Sequence, residues 1–209
     1  MVDVRVKKTS RGLSGNIIIP PDKSISHRSV MFASLAKGKS VIRNFSHGAD
    51  CLSTLKLFQM LGVDIKFIDE HSLEVCSTGL LSPIKKELDC GNSGTTMRLC
   101  SGILAGQNFD SVLYGDESLS KRPMMRIISP LEMMGASISS DLGKAPLRIN
   151  GRPLSGIKYE SPIASAQVKS CILLAGLNAE GVTTVVEPYV SRNHTELMLP
   201  EFGATTTAA

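Results

Sequence analysis

A plan that recurs about every seventy residues constrains this chain more than any other feature. The segments FASLAKGKSVI (Phe32 to Ile42), SGILAGQNFDSVL (Ser101 to Leu113) and LAGLNAEGVTTVV (Leu174 to Val186) each run from a small, apolar helix end through a glycine into a β-branched strand. A second echo trails each one: LFQMLGVDI, PLEMMGASI and LPEFGATT, amphipathic helices closed by a glycine suited to a left-handed cap. Those glycines are Gly62, Gly135 and Gly203, so the intervals are 73 and 68 residues. Each copy reads as strand, tight turn, helix, strand, helix and one or two closing strands, which makes the chain α/β. The copies span about 14–82, 83–155 and 156–209, and the third stops at Ala204 to Ala209, where its closing strands are due.

Within copy one, Asn16 to Ile19 reads as a buried strand and Val30 to Ala36 as a helix. The next helix starts at Asp50, a candidate N-cap, and sends Leu52, Leu55 and Leu61 to the core; strands follow at Asp64 to Ile68 and Leu73 to Cys76. In copy two Pro123 suits a first helical turn, and Met124, Ile127, Ile128, Leu131 and Met134 form an apolar stripe across Pro130. Strands at Ser137 to Ser140 and Pro146 to Asn150 close that copy. A unit lacking its last strands leaves sheet-edge groups unsatisfied, so the chain reads as truncated or completed by a strand from elsewhere.

If the copies share a plan, their first strand-to-helix turns are comparable places. They are PPDKSISHRS (Pro20 to Ser29), GNSGTTMR (Gly91 to Arg98) and ASAQVKS (Ala164 to Ser170). All three are rich in small donors, and each carries a cation a few residues into its helix: Arg28, Arg98 and Lys169. A helix start attracts anions and disfavours cations, so Lys23 and Arg28 there, beside Ser24 and Ser26, point to a pocket for a multiply charged small anion. The alternative is a solvated basic turn that pairs with acids such as Asp22. GNSGTT reads as an oxyanion or phosphate nest, with Gly91 and Gly94 allowing close approach and Asn92, Ser93 and Thr95 donating; it is also an ordinary turn. DESLSKRPM (Asp116 to Met124) puts Lys121 and Arg122 before a helix start but lacks the glycine of a P-loop, and Arg192 precedes Asn193 in the same way.

The 209 residues carry a formal net charge of +4, with 4% aromatics, no Trp and no basic block longer than two residues, which argues against nucleic-acid binding. Cys51, Cys76, Cys90, Cys100 and Cys171 are an odd set without a CxxC pair, so buried, reduced thiols are expected and a metal site is not. The histidines are scattered and read as structural. No export or membrane-spanning segment is visible, and the cytoplasm is the expected compartment.

Taken in order, PPDKSISHRS, GNSGTTMRL, SLSKRPM, ASAQVKS and SRNHTE closely resemble the 5-enolpyruvylshikimate-3-phosphate synthase family. The resemblance spans nearly the whole chain and covers the amino-terminal half of the family's length. It implies two similar lobes of three βαβαββ repeats with helices inside and sheets outside, an inside-out α/β barrel. On that plan residues 20–209 make most of one lobe, with the third repeat incomplete, and 1–19 belong with the other. The implied reaction moves the carboxyvinyl group of phosphoenolpyruvate to the 5-hydroxyl of shikimate-3-phosphate and needs no cofactor. By resemblance Lys23, Ser24, Arg28, Ser165, Ala166, Gln167 and Arg192 hold shikimate-3-phosphate, and Lys23, Asn92, Gly94, Arg122 and Gln167 hold phosphoenolpyruvate. Lys23 is the catalytic member, a cation near the transferred group.

This sequence departs from the family at Pro21, where glycine is usual. Ala166 and Leu99 match a subgroup described as tolerant of glyphosate, whereas Gly94 does not. The family's acid/base carboxylates lie in the other half, so this chain alone is expected to bind shikimate-3-phosphate weakly and turn over nothing. Two further readings stand beside this one: a nucleotide-sugar enolpyruvyl transferase, and a non-catalytic module that pairs with a separate second lobe.

Overall fold

Residues 3–207, except 9, 13 and 84, are described by the structure, a computed structural model. The ends of the expected first and third segments, at 1–2 and 208–209, lie outside the described residues with those three.

The first sheet forms from α1 (Lys23–Leu35), β1 (Lys37–Ile42), α2 (Ala49–Met60), β2 (Asp64–Phe67) and β3 (Leu73–Thr78), with strand order β1-β3-β2, all antiparallel. Alternation sets its faces: Ile42, Ile65, Leu73 and Val75 are buried, while Lys39 and Glu74 pair at 2.6 Å on the other face. The next stretch gives β4 (Leu88–Asp89), α3 (Gly94–Ala105), β5 (Ser111–Tyr114), α4 (Glu117–Ser120), α5 (Met125–Met133), β6 (Ser137–Asp141) and β7 (Lys144–Asn150). Its sheet runs β4-β5-β7-β6; β4 lies parallel to β5 and the other pairs are antiparallel. Ala145, Leu147 and Ile149 of β7 point inward, alternating with exposed Lys144, Pro146, Arg148 and Asn150. The last stretch holds β8 (Leu154–Ser155), β9 (Lys158–Glu160), α6 (Ala166–Gly176), β10 (Ala179–Glu180), β11 (Thr184–Val186) and α7 (His194–Met198), continued by a 3-10 turn, Leu199–Phe202. Here β8 pairs with β10 and β9 with β11, both parallel.

Gly62, Gly135 and Gly203 adopt φ of +88°, +95° and +86°. The amide after each bonds the carbonyl five residues back: Val63 to Phe58 at 3.1 Å, Ala136 to Leu131 at 3.0 Å, Ala204 to Leu199 at 3.2 Å. One left-handed closure is therefore used three times, as the sequence spacing predicts. Helices fill the interior. Met97, Leu99, Cys100, Ile103 and Leu104 of α3 are fully buried, as are Cys171, Ile172 and Leu174 of α6. The two axes approach so closely that a Cβ on Gly102 would lie 2.1 Å from the Cys171 carbonyl oxygen. Among the described residues the cysteines are free thiols, and no helix is long and apolar enough to cross a membrane.

Four local expectations need correction. Asn16 to Ile19 is not a buried strand: it pairs with no strand among the described residues, and Ile18 is 99% exposed. An apolar run supplies side chains to bury but not a ladder partner, and here neither β1 nor any other strand takes it up. The first helix starts at Lys23, seven residues earlier than periodicity suggests, because Asp22 caps it. Asp50 does not cap α2; Gly48 does, which leaves Asp50 in the first turn, where a carboxylate meets the positive end of the dipole. Pro123 precedes α5, whose cap is Met124.

Candidate functional site

At the start of α1 the Asp22 side chain accepts the Ile25 amide at 2.7 Å, which takes it away from the basic residues beside it. Lys23 reaches instead across to α2 and pairs with Asp50 while remaining largely exposed. Arg28 is only 3% exposed. Its Nε donates to Thr195 Oγ1 at 2.7 Å, Nη1 to the Ser24 carbonyl at 3.1 Å and Nη2 to Ser170 Oγ at 2.7 Å. These three acceptors are neutral, and a guanidinium has five donors, so two N–H groups remain. Burial lowers the Arg28 pKa, Glu196 nearby raises it and the exposed Arg192 lowers it again.

The α3 turn is built by Gly91 at φ +54° and by Ser93, whose Oγ accepts the Thr96 amide at 3.1 Å. Asn92 bridges outward: Nδ2 donates to Asp116 at 2.7 Å, and Oδ1 accepts from Arg122 Nη2. Arg98 donates from Nη1 to Gln167 Oε1 at 2.8 Å and from Nη2 to the Pro123 carbonyl at 3.3 Å, while Gln167 Nε2 donates to Thr95 Oγ1 at 2.9 Å. A Cβ on Gly94 would stand 2.7 Å from Arg98 Nη1 and 3.2 Å from Arg122 Nη1. Two guanidiniums thus meet over the first residue of a helix. Burial, then Arg122, then Arg126 lower the Arg98 pKa, so like charges gather here; among the described residues no carboxylate pairs directly with either guanidinium, and Asp116 is joined to Arg122 through Asn92.

The α6 turn differs. Ser165 caps the helix through Val168 at 3.4 Å, but its own amide donates to Glu187 Oε1 at 2.8 Å. Lys169 sits between Glu187 at 2.8 Å and Glu196 at 2.7 Å, so the third cation of the repeated pattern is neutralised inside the protein. Ala166 opens the helix beside Gln167, and Arg192 stands exposed just before α7.

Buried hydroxyls join the first two turns. His27 Nδ1 contacts Thr54 Oγ1 at 2.6 Å, Thr54 contacts Thr96 Oγ1 at 2.7 Å, and Thr96 donates to Ser93 Oγ at 2.7 Å. This chain runs from α1 through α2 to the cap of α3. The structure therefore brings Asn92, Gly94, Arg122 and Gln167 into one cluster with Arg98 and Thr95. Arg28, Ser165 and Arg192 lie on a second side, near Ser170 and Thr195, and Lys23 is held by Asp50. Lys121 belongs to neither group, since it pairs with Glu117 one helical turn away at 2.6 Å. Sequence reasoning missed Thr54, Thr96, Ser170, Glu187 and Thr195, whose signal is spatial; Arg126 was open to detection as a cation one turn after Arg122. Among the described residues no three His, Cys, Asp or Glu side chains gather where a metal could sit.

The family model for EPSP synthase (3-phosphoshikimate 1-carboxyvinyltransferase) matches residues 7–209. A 3-phosphoshikimate 1-carboxyvinyltransferase of Bacillus cereus strain G9842 is 54% identical over 211 residues, covering 99% of this chain and 49% of that relative. One from Bacillus thuringiensis strain Al Hakam is 54% identical over 206 residues, covering 97% and 48%. The solved EPSP synthase of Acinetobacter baumannii superposes with a TM-score of 0.90 at 48% identity, over 93% of this chain and 45% of its own. The chain spans about half the length of the curated relatives it matches.

Proposed function

The chain belongs to the EPSP synthase family, and from that premise we propose that it supplies the shikimate-3-phosphate-binding half of a 3-phosphoshikimate 1-carboxyvinyltransferase. The observation that carries the proposal is the meeting of Arg98 and Arg122 over Gly94, with hydrogen-bond acceptors that are all neutral. Like charges that repel one another at the positive end of a helix are stabilised by an anionic ligand.

In this proposal phosphoenolpyruvate lies against Asn92, Gly94, Arg122 and Gln167. Shikimate-3-phosphate lies against Ser24, Arg28, Ser165, Ala166, Gln167 and Arg192, and Lys23 stands at the transferred group. The 5-hydroxyl of shikimate-3-phosphate adds to C2 of phosphoenolpyruvate while C3 gains a proton, and the resulting ketal phosphate loses a C3 proton and inorganic phosphate to restore the double bond. Lys23 leaves Asp50 for the more highly charged ligand and stabilises the charge that moves onto the departing phosphate. Residues 20–209 form this lobe and 1–19 contact the other; the three exposed isoleucines at 17–19 support that assignment. The acid/base carboxylates come from the second lobe, so this chain binds without turning over. Both substrates are small, charged and water-borne, which supports a cytoplasmic setting.

Calorimetric titration with shikimate-3-phosphate tests the proposal. A charged hydrogen bond contributes about 1.5–3 kcal/mol, so Arg28→Ala and the exposed Arg192→Ala should each weaken binding about 10- to 100-fold. Binding indifferent to both substitutions, or no binding by the unaltered chain, refutes it. Mixing with a chain that carries the second half, then measuring phosphate release, tests the transferase assignment itself.

A further inference from the structure

We infer that Glu187 is a positioning residue for the shikimate-3-phosphate side of the cleft, an inference that rests on the binding role proposed above. Its carboxylate lies just past β11 and touches both segments on that side. Oε1 accepts the Ser165 amide at 2.8 Å, and Oε2 accepts the Ser191 hydroxyl at 2.7 Å. Ser165 caps α6, and Ser191 immediately precedes Arg192. One side chain thus ties the cap of the third turn to the segment that presents an exposed guanidinium.

A carboxylate is at first sight a poor neighbour for a phosphorylated ligand, because like charge repels. The structure answers this with Lys169, whose ammonium lies 2.8 Å from Glu187 and 2.7 Å from Glu196. Glu187, Lys169 and Glu196 are 8%, 11% and 16% exposed, so their mutual attraction is only weakly screened. Burial raises the Glu187 pKa, but the bonds from Lys169, Ser191 and Ser165 outweigh it, and the group stays ionised at neutral pH. The division of donors at the helix start follows. Glu187 takes the amide of Ser165 and the Ser165 hydroxyl takes the amide of Val168, which leaves the amides of Ala166 and Gln167 claimed by neither. Those two belong to residues already placed against the ligand. Glu187 therefore sets the pose of the turn and the reach of Arg192 while Lys169, shared with Glu196, offsets part of its charge.

The test compares Glu187→Ala, Glu187→Gln and Ser191→Ala with the unaltered chain, using shikimate-3-phosphate as one probe and phosphoenolpyruvate as the other. An amide oxygen at 187 still accepts the Ser165 N–H, so rescue by glutamine separates positioning from bulk packing. We expect Glu187→Ala to weaken shikimate-3-phosphate about tenfold or more, Glu187→Gln to recover to within about threefold, and Ser191→Ala to lose about threefold. Phosphoenolpyruvate, which shares only Gln167 with this turn, should lose less affinity than shikimate-3-phosphate in all three. The Ser165 amide proton should move upfield in Glu187→Ala and part of the way back in Glu187→Gln. A folded Glu187→Ala that binds shikimate-3-phosphate as the unaltered chain does overturns the inference, as does equal loss with alanine and glutamine. Should Glu187→Ala fail to fold, unchanged binding by Ser191→Ala with an unmoved Ser165 resonance overturns it. Failure of the unaltered chain to bind shikimate-3-phosphate at all refutes instead the binding role on which it rests.

Discussion

Acidification from pH 7 to pH 5 should destabilise this chain through one side chain, His27. The ring is fully buried; Nδ1 contacts Thr54 Oγ1 and Nε2 has no partner, so an added proton would bring a charge into the core without a second acceptor. Burial is the largest cause of its depressed pKa, followed by the Lys23 charge, with Asp50 opposing and Arg28 adding to the depression; the result is about 4 against an ordinary 6.5. In the unfolded chain the imidazole takes up its proton near pH 6.5, while the folded chain resists until near pH 4. The unfolded state thus binds more protons between those values, and stability falls as pH falls through that window. A gap of 6.5 − 4, or 2.5 units, corresponds to about 3 kcal/mol in full, of which about 2 kcal/mol is lost between pH 7 and pH 5. Carboxylates held below their ordinary values, such as Glu187, are still ionised in both states over most of that interval and contribute little to it. Urea unfolding followed by far-UV circular dichroism at both pH values measures the loss, and His27→Asn, which keeps a polar partner for Thr54 but does not titrate, isolates it. The unaltered chain should lose about 2 kcal/mol more than the variant over this interval. Equal losses in the two proteins, or a His27 resonance that titrates near 6.5 in the folded chain, would refute the assignment.

Other substitutions probe packing and charge separately. Gly94→Ala puts a methyl group where Arg98 and Arg122 meet; those are the ends of flexible side chains, so unfolding free energy should change by less than about 1 kcal/mol while phosphoenolpyruvate affinity by calorimetry falls about tenfold. Gly102→Ala meets backbone instead, since the Cys171 carbonyl cannot swing aside, and α3 and α6 must part; chemical denaturation should show a loss at the upper end of about 1–3 kcal/mol. Lys169→Met leaves two carboxylates unpaired in a nearly closed site and should lower stability by about 3–5 kcal/mol, recovered in part when Glu187 and Glu196 are both changed to glutamine.

Local chemistry was readable in the sequence wherever a residue's role is settled within a turn or so of itself. The left-handed glycines at 62, 135 and 203 follow from spacing and side-chain type, and the structure places each as expected. Burial of Met124, Ile127, Ile128, Leu131 and Met134 was equally open to periodicity. Asn16 to Ile19 failed because a strand needs a partner, and hydrophobicity alone does not name one. Asp50 failed because its residue type suits a cap, but the helix is capped two residues earlier at Gly48 and the carboxylate is taken by Lys23 from another helix.

The same division explains the site. Neither part of the site is local in sequence: the bond from Arg122 to Asn92 spans 30 positions, and the bonds of Arg28 to Ser170 and Thr195 span 142 and 167. No window of sequence contains that information, and Lys169 shows the hazard of reading by analogy between repeats. It occupies a place comparable to Arg28 and Arg98, yet two glutamates from later in the chain turn it inward. A repeated backbone plan therefore fixes where cations are presented, while long-range acidic partners decide which of them are neutralised within the protein. Arg28 keeps neutral partners and two donors in reserve, whereas Lys169 is neutralised by two carboxylates.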